Sequence, residues 1–129
     1  MRHQIVLLQI SMLLCLGVAE AAENLPAGDP VLGQRQFAQC TACHSITADG
    51  ANKVGPNLHG IYGRKAGSKA DFAYSDALKN AGFDWDSERL DQYIRKPSAF
   101  LPGNKMAFIG IAKDEVRANI IAYLKEGLK

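Results

Sequence analysis

Cys40-Thr41-Ala42-Cys43-His44 places two thiols and an imidazole within five consecutive residues. Cysteines three positions apart on one helical turn can reach both vinyl groups along one edge of a haem and bond to each. The adjacent histidine then points back under the iron as the proximal ligand. Three other chemistries compete for the same residues. A redox-active C-x-x-C pair belongs in a β-α-β context, which this sequence does not provide. A zinc site built on the two cysteines would want two more ligands, and beyond the motif only His59 remains. A plain disulfide accounts for the cysteines but leaves His44 unexplained. Covalent attachment through Cys40 and Cys43 with His44 on the iron accounts for all three residues, so the expected cofactor is one haem c.

Donors for the other side of the iron are scarce. Outside residues 1–21, the sequence holds one methionine, Met106, and one histidine besides His44, namely His59. A methionine is usually core filling, being flexible and apolar. Met106, however, follows Leu101-Pro102-Gly103-Asn104-Lys105, an irregular stretch able to cross an open haem face. Met106 is therefore the expected second axial ligand, and His59 is expected at the surface.

The elements that must position these groups are helical. Asp29 can cap a helix whose first turn accepts Pro30, and the apolar Val31, Phe37 and Ala38 extend it to about Thr41. Gly33 on that helix leaves room for a close backbone crossing. Residues 45–73 are rich in Gly, Asn, Ser, Lys and Asp and read as loop. A loop of that length usually wraps something functional. Ser75 to Asn80 reads as a short helix closed by Gly82. Asp86 caps another, with Leu90, Tyr93 and Ile94 on one face, until Pro97 stops it. Phe100 to Ile111 is irregular. A final helix starts near Asp114, carries Val116, Ile120, Ile121, Tyr123 and Leu124, and ends at Gly127. The expected class is all-α, with four to five short helices and long loops around a haem.

Residues 1–21 read as an export signal set apart from this fold. Arg2 and His3 precede an apolar run from Ile5 to Val18, broken at Gln9 and Ser11, and Ala19-Glu20-Ala21 offers a small-x-small cleavage site. The run is shorter than the roughly 20 residues that span a bilayer. Leu13 and Leu14 before Cys15 argue against lipidation at that cysteine. Residues 22–129 then form one domain, exported to the periplasm, without stable membrane insertion and expected as a monomer. The chain's 15 basic and 13 acidic residues become 14 and 12 once Arg2 and Glu20 are removed, a net charge of +2. Such a balance gives no basic patch for nucleic acid. A domain this small also gains from a cofactor that completes its core.

From Gly28 onward the sequence resembles class I c-type cytochromes, near the mitochondrial protein and its exported bacterial relatives. The resemblance is carried by Gly33 and Phe37, the C-x-x-C-H run, Gly55-Pro56-Asn57-Leu58-His59-Gly60, Gly63-Arg64-Lys65-x-Gly67, Trp85, Tyr93, Pro97, Pro102-Gly103-x-Lys105-Met106 and Ile121-Ala122-Tyr123-Leu124. It implies a haem-wrapping fold and a soluble one-electron carrier rather than an enzyme. It also implies roles. The Pro56 carbonyl accepts from His44, while Arg64, Tyr74 and Trp85 meet a buried propionate. Tyr93 lies near the Met106 sulfur, and Gly33 and Phe37 cross the last helix at Ile120, Tyr123 and Leu124.

The implied partners are redox proteins docking transiently at the exposed haem edge, such as a quinol–cytochrome c oxidoreductase and a terminal oxidase or reductase. A dedicated dehydrogenase or reductase partner is the alternative, and a haem peroxidase or gas binder a more distant one that requires five-coordinate iron. Two departures stand out. Leu78 occupies a position where the family often has asparagine in a buried polar network. Gln39, Ala51, Ser98, Ala99 and Ala112 stand where lysines are frequent around the haem edge, whereas Lys53, Lys105 and Lys113 remain.

Overall fold

Five α-helices and one 3-10 turn form among the described residues, and three of the helices start at side-chain caps. They are seen in a computed structural model that describes residues 25–126. Residues 1–21, expected as an export signal, and Gly127, the expected end of the last helix, lie outside the described residues. Helix α1, Pro30–Gln36, starts where the Asp29 carboxylate accepts from the amides of Val31 and Leu32. The expected continuation to Thr41 is not α-helical. Phe37–Cys40 tightens into a 3-10 turn, in which Thr41 gives both its amide and its hydroxyl to the Ala38 carbonyl. Gln39 likewise donates to the Gln36 carbonyl. Side chains that take nearby carbonyls compete with the i→i+4 ladder and favour the tighter turn.

Helix α5, Asp114–Glu126, crosses α1 at close range. A Cβ on Gly33 would fall 1.9 Å from the Asn119 carbonyl oxygen, and one on Gly28 2.0 Å from that of Ala118. Glycine is required here because backbone meets backbone. The Asp29 amide donates to Asn119 Oδ1 at 2.7 Å, and the Phe37 and Tyr123 rings pack with centroids 5.6 Å apart. Ile120, Ile121 and Leu124 turn inward to the core with Phe37, Trp85 and Leu90.

Between these helices the chain is mostly loop, held by side chains rather than by ladders. Asn57, buried, donates to the carbonyls of Thr47 and Gly50 and accepts from the His59 amide. Among the described residues a single antiparallel bridge pairs Lys65 with Asp84, and the Trp85 amide donates to the Arg64 carbonyl. Ser75 caps α2, Asp76–Lys79, and Asp86 caps α3, Ser87–Arg95.

Pro97 ends α3 but also starts α4, Pro97–Phe100, a turn that the sequence reading did not separate from the irregular segment after it. Extended Lys96 satisfies the restriction before proline, and proline's fixed φ suits a first helical position. Among the described residues no helix is long and apolar enough to cross a membrane.

Helices α3 and α5 are joined by a charged cluster. Arg117, fully buried, donates to Asp91 at 2.6 Å and to the carbonyls of Ile111 and Ala112 at 2.8 and 2.9 Å. It also pairs with Asp114, and Arg95 holds the second Asp91 oxygen at 2.9 Å.

Candidate cofactor site

The loops and the inner faces of α3 and α5 line a largely apolar cavity of about 280 Å³, partly open to solvent. Cys40, at the end of the 3-10 turn, and Cys43, just beyond it, both reach the cavity as free thiols. The two thiols are not equivalent. Cys40 is half-buried and Cys43 exposed. Burial, with a smaller effect of the neighbouring Cys43 charge, pushes the Cys40 thiol up to about 11. Redox-active C-x-x-C sites work with a lowered thiol pKa, so this environment disfavours that chemistry.

His44 lines the same cavity and is buried. Its Nδ1 lies 2.7 Å from the Pro56 carbonyl oxygen, which can accept only if Nδ1 carries the proton. Nε2 is then left with its lone pair free for a metal. Burial holds the imidazole below its ordinary pKa, against the Pro56 hydrogen bond and with a lesser contribution from Lys53. The ring lies directly on the backbone of Gly55, where a Cβ would fall 2.3 Å from Cε1. Gly55 therefore sets the ring plane as much as Pro56 sets its tautomer.

Met106 reaches the cavity from the segment between α4 and α5, together with Phe108 and Lys105. Arg64, Tyr74, Trp85 and Tyr93 complete the set expected from the sequence, and all four line the cavity. The Arg64 guanidinium is aimed by two loop carbonyls, those of His59 at 3.0 Å and Asn57 at 3.2 Å. Tyr93 donates to Asn104 at 3.3 Å, and burial pushes its phenol up to about 12. Among the described residues none accepts from the Tyr74 hydroxyl or the Trp85 indole N–H, although both side chains are buried against the cavity. Donors left in this state fit a bound group that brings its own acceptors.

His59, expected at the surface, is half-buried instead. Its Nδ1 lies 3.3 Å from the Ile46 carbonyl, because Asn57 folds the loop back on itself there. Among the described residues no three His, Cys, Asp or Glu side chains group as ligands for a bare ion, which sets aside the zinc alternative.

Residues 30–127 match the family model for cytochrome c. The chain belongs to the cytochrome c family. It is 50% identical to the cytochrome c of Theileria annulata over 103 residues, covering 79% of this chain and 89% of that one. It is 44% identical to the cytochrome c2 of Rhodomicrobium vannielii over 104 residues, 81% of this chain and 83% of that one. Among solved structures, cytochrome cH from Methylobacterium extorquens superposes with a TM-score of 0.71 at 46% identity, covering 76% of this chain and 98% of that chain. The chain is thus a class I c-type cytochrome with the all-α fold of the family, an electron carrier rather than an enzyme.

The family implies haem c, and the residues present suit it. Two free thiols, a histidine with one nitrogen free, a methionine and unpaired donors converge on one apolar cavity of a cytochrome c fold.

Two contributors escaped sequence reasoning. Asn104 stood in the irregular run before Met106 with no role assigned to it, yet it binds Tyr93 and the Met106 amide together. Arg117 lies on the inward stripe of α5 with Ile120, Ile121 and Leu124, and a charge on an apolar stripe was the available signal. Leu78, at the position where asparagine is frequent, lines the cavity half-buried. Gln39, Ala51, Ser98, Ala99 and Ala112 are all exposed, so lysine depletion is a property of the surface.

Proposed function

We propose that the mature protein, residues 22–129, is a periplasmic carrier that passes single electrons between redox proteins through one haem c. In this reading Cys40 and Cys43 would hold the haem covalently, and His44 and Met106 would supply the protein's donors to its iron. Arg64, Tyr74, Trp85 and Tyr93 line the remainder of its site. Haem c held in this way supplies reversible one-electron chemistry at iron, with methionine and histidine ligation raising the potential.

The chain's own residues make that transfer cheap in rearrangement. Pro56 fixes the His44 tautomer and raises its donor strength, and Gly55 supports the ring from below. Apolar walls from Leu90, Ile111, Ile120 and Leu124 keep water away from the reacting centre. Arg64 brings a positive charge, and Tyr74 and Trp85 bring donors, to where carboxylates of the cofactor would be buried. With both His44 and Met106 donating to the iron, no position would be left for a substrate, which favours a carrier over a peroxidase or gas binder.

One observation carries the reading: the His44 Nδ1 to Pro56 hydrogen bond, in a cavity shared with two free cysteines and Met106. Residues 1–21 act in this proposal as a cleaved signal peptide. The docking face is the cavity mouth around Lys53, Lys105 and Phe108, and the partners are of the quinol–cytochrome c oxidoreductase and terminal oxidase or reductase kinds.

The test is spectroscopic. Met106→Ala keeps the haem attached but loses the methionine-to-iron band at the red end of the ferric spectrum; an unchanged visible spectrum refutes the ligand assignment. Replacing Cys40 and Cys43 together by alanine abolishes covalent haem by mass spectrometry. The exported protein should begin at Ala22 or Glu23.

A further inference from the structure

The segment between α4 and α5 has no ladder of its own, so something else must set the height of Met106 over the cavity. Its first turn is built from Pro102 and Gly103, the latter at φ +86°, with the Asn104 amide donating back to the Leu101 carbonyl at 3.1 Å. Proline followed by a positive-φ glycine is the pattern of a type II turn. That turn places the Asn104 side chain among four backbone or side-chain partners. Nδ2 donates to the carbonyls of Pro97 at 2.9 Å and Leu101 at 2.8 Å. Oδ1 accepts from the Met106 amide at 2.9 Å and from the Tyr93 hydroxyl at 3.3 Å. Rotating the amide by half a turn would set donors against donors and acceptors against acceptors, so this orientation alone satisfies all four.

We propose that Asn104 is a positioning residue: its carboxamide ties the Met106 backbone to α3 through Tyr93 and to α4 through Pro97, and so holds Met106 closed over the cavity. The inference rests on the proposed role of Met106 as second axial ligand. Among the described residues no other side chain accepts from the Met106 amide, and the next side-chain anchor of the segment is Arg117 on Ile111. A serine or threonine could imitate the acceptor half but could not reach both carbonyls while doing so. Asparagine, with two donors and a carbonyl in one plane, can do both.

The experiment uses the ferric holoprotein and added imidazole as a competitor for the position held by Met106. A competitor that binds only the open form has an apparent affinity scaled by the open fraction. Asn104→Ala should tighten apparent imidazole binding by about tenfold or more, equivalent to about 1.4 kcal/mol of closure. Asn104→Asp, which keeps an acceptor for the Met106 amide and the Tyr93 hydroxyl but has no donor for the Pro97 and Leu101 carbonyls, should recover only part of that change. Tyr123→Leu, at the α1–α5 crossing and away from this segment, should lower global stability with imidazole affinity unchanged.

Imidazole binding of Asn104→Ala within twofold of the parent overturns the proposal. So does a change matched by Tyr123→Leu, which would mean general loosening. If Asn104→Ala does not accumulate, Asn104→Asp is compared with the parent by hydrogen exchange at the Met106 amide. Retained protection supports the acceptor role, and protection lost to the level of exposed loops refutes it. A Met106→Ala spectrum identical to the parent would instead sink the underlying ligand assignment, independently of Asn104.

Discussion

Replacing Arg117 by methionine should cost the protein about 3 kcal/mol, the lower end of the range for breaking a buried ion pair. Arg117 has no exposed side-chain surface, and its partner Asp91 retains 6%. The substitution keeps the side chain's length and apolar stem, but it strands the Asp91 carboxylate in the core. It also removes the donors on the carbonyls of Ile111 and Ala112. Arg95 remains on the other Asp91 oxygen at 2.9 Å, although its own side chain is 55% exposed and partly screened. That surviving contact is why the lower end applies.

Guanidinium unfolding of the ferric holoprotein, followed by far-ultraviolet circular dichroism, reads the loss directly. With a slope of about 3 kcal/mol per molar, the midpoint falls by about 1 M at unchanged slope. Adding Asp91→Leu should restore at least half of the loss, because no charge is then left unpaired. A midpoint shift below about 0.3 M refutes the assignment of Arg117 as a buried tie between α3 and α5. So does a double variant that loses the sum of both single effects.

Three other outcomes follow from the same structure. The Tyr93 phenol, raised to about 12 by burial, favours the folded state while it is neutral. Its contribution is complete below the unfolded value of about 10 and is lost as pH rises from there toward the folded value. Tyr93→Phe should therefore remove part of the alkaline stability loss in a denaturation series; identical pH profiles would contradict it. Gly33→Ala places a methyl 1.9 Å from the Asn119 carbonyl oxygen and 2.9 Å from the Tyr123 Cβ, so α1 and α5 must part. The expected cost is about 3 kcal/mol or more, and a thermal midpoint within a few degrees of the parent would refute the crossing. Finally, with exposed Gln39, Ala51, Ser98, Ala99 and Ala112 in place of lysines, docking should depend weakly on salt. Electron-transfer rates with an isolated quinol–cytochrome c oxidoreductase should fall less than about threefold between about 50 and 200 mM salt, and a tenfold fall would overturn that expectation.

Much of this protein was legible one residue at a time because the relevant physics is local. Haem attachment depends on two cysteines and a histidine at fixed spacing, and that spacing survives any arrangement of the rest. The caps at Asp29, Ser75 and Asp86 act within three residues of themselves, and all three start helices where the sequence placed them. Gly33 was readable as a crossing point because few other reasons put glycine inside a helix. Local signals also misled. The α1 pattern ran on to Thr41, but hydroxyl and amide side chains took the carbonyls and closed a 3-10 turn instead. Pro97 was read as a stop, and it is equally a first turn.

By itself, then, the sequence determined the C-x-x-C-H spacing, three capped helix starts, the small stock of histidine and methionine donors and the near-neutral charge. Only the tertiary structure decided which distant groups meet. His44 finds Pro56 twelve residues away, and Tyr93 finds Asn104 eleven residues away. Arg117 is buried against Asp91 across 26 residues, and His59 is drawn inward by Asn57. None of these partners is implied by periodicity or capping, because each depends on where two loops or helices come to lie. The C-x-x-C-H run points to a held haem; the folded loops add that the Pro56 carbonyl meets His44 and that Asn104 meets the Met106 amide.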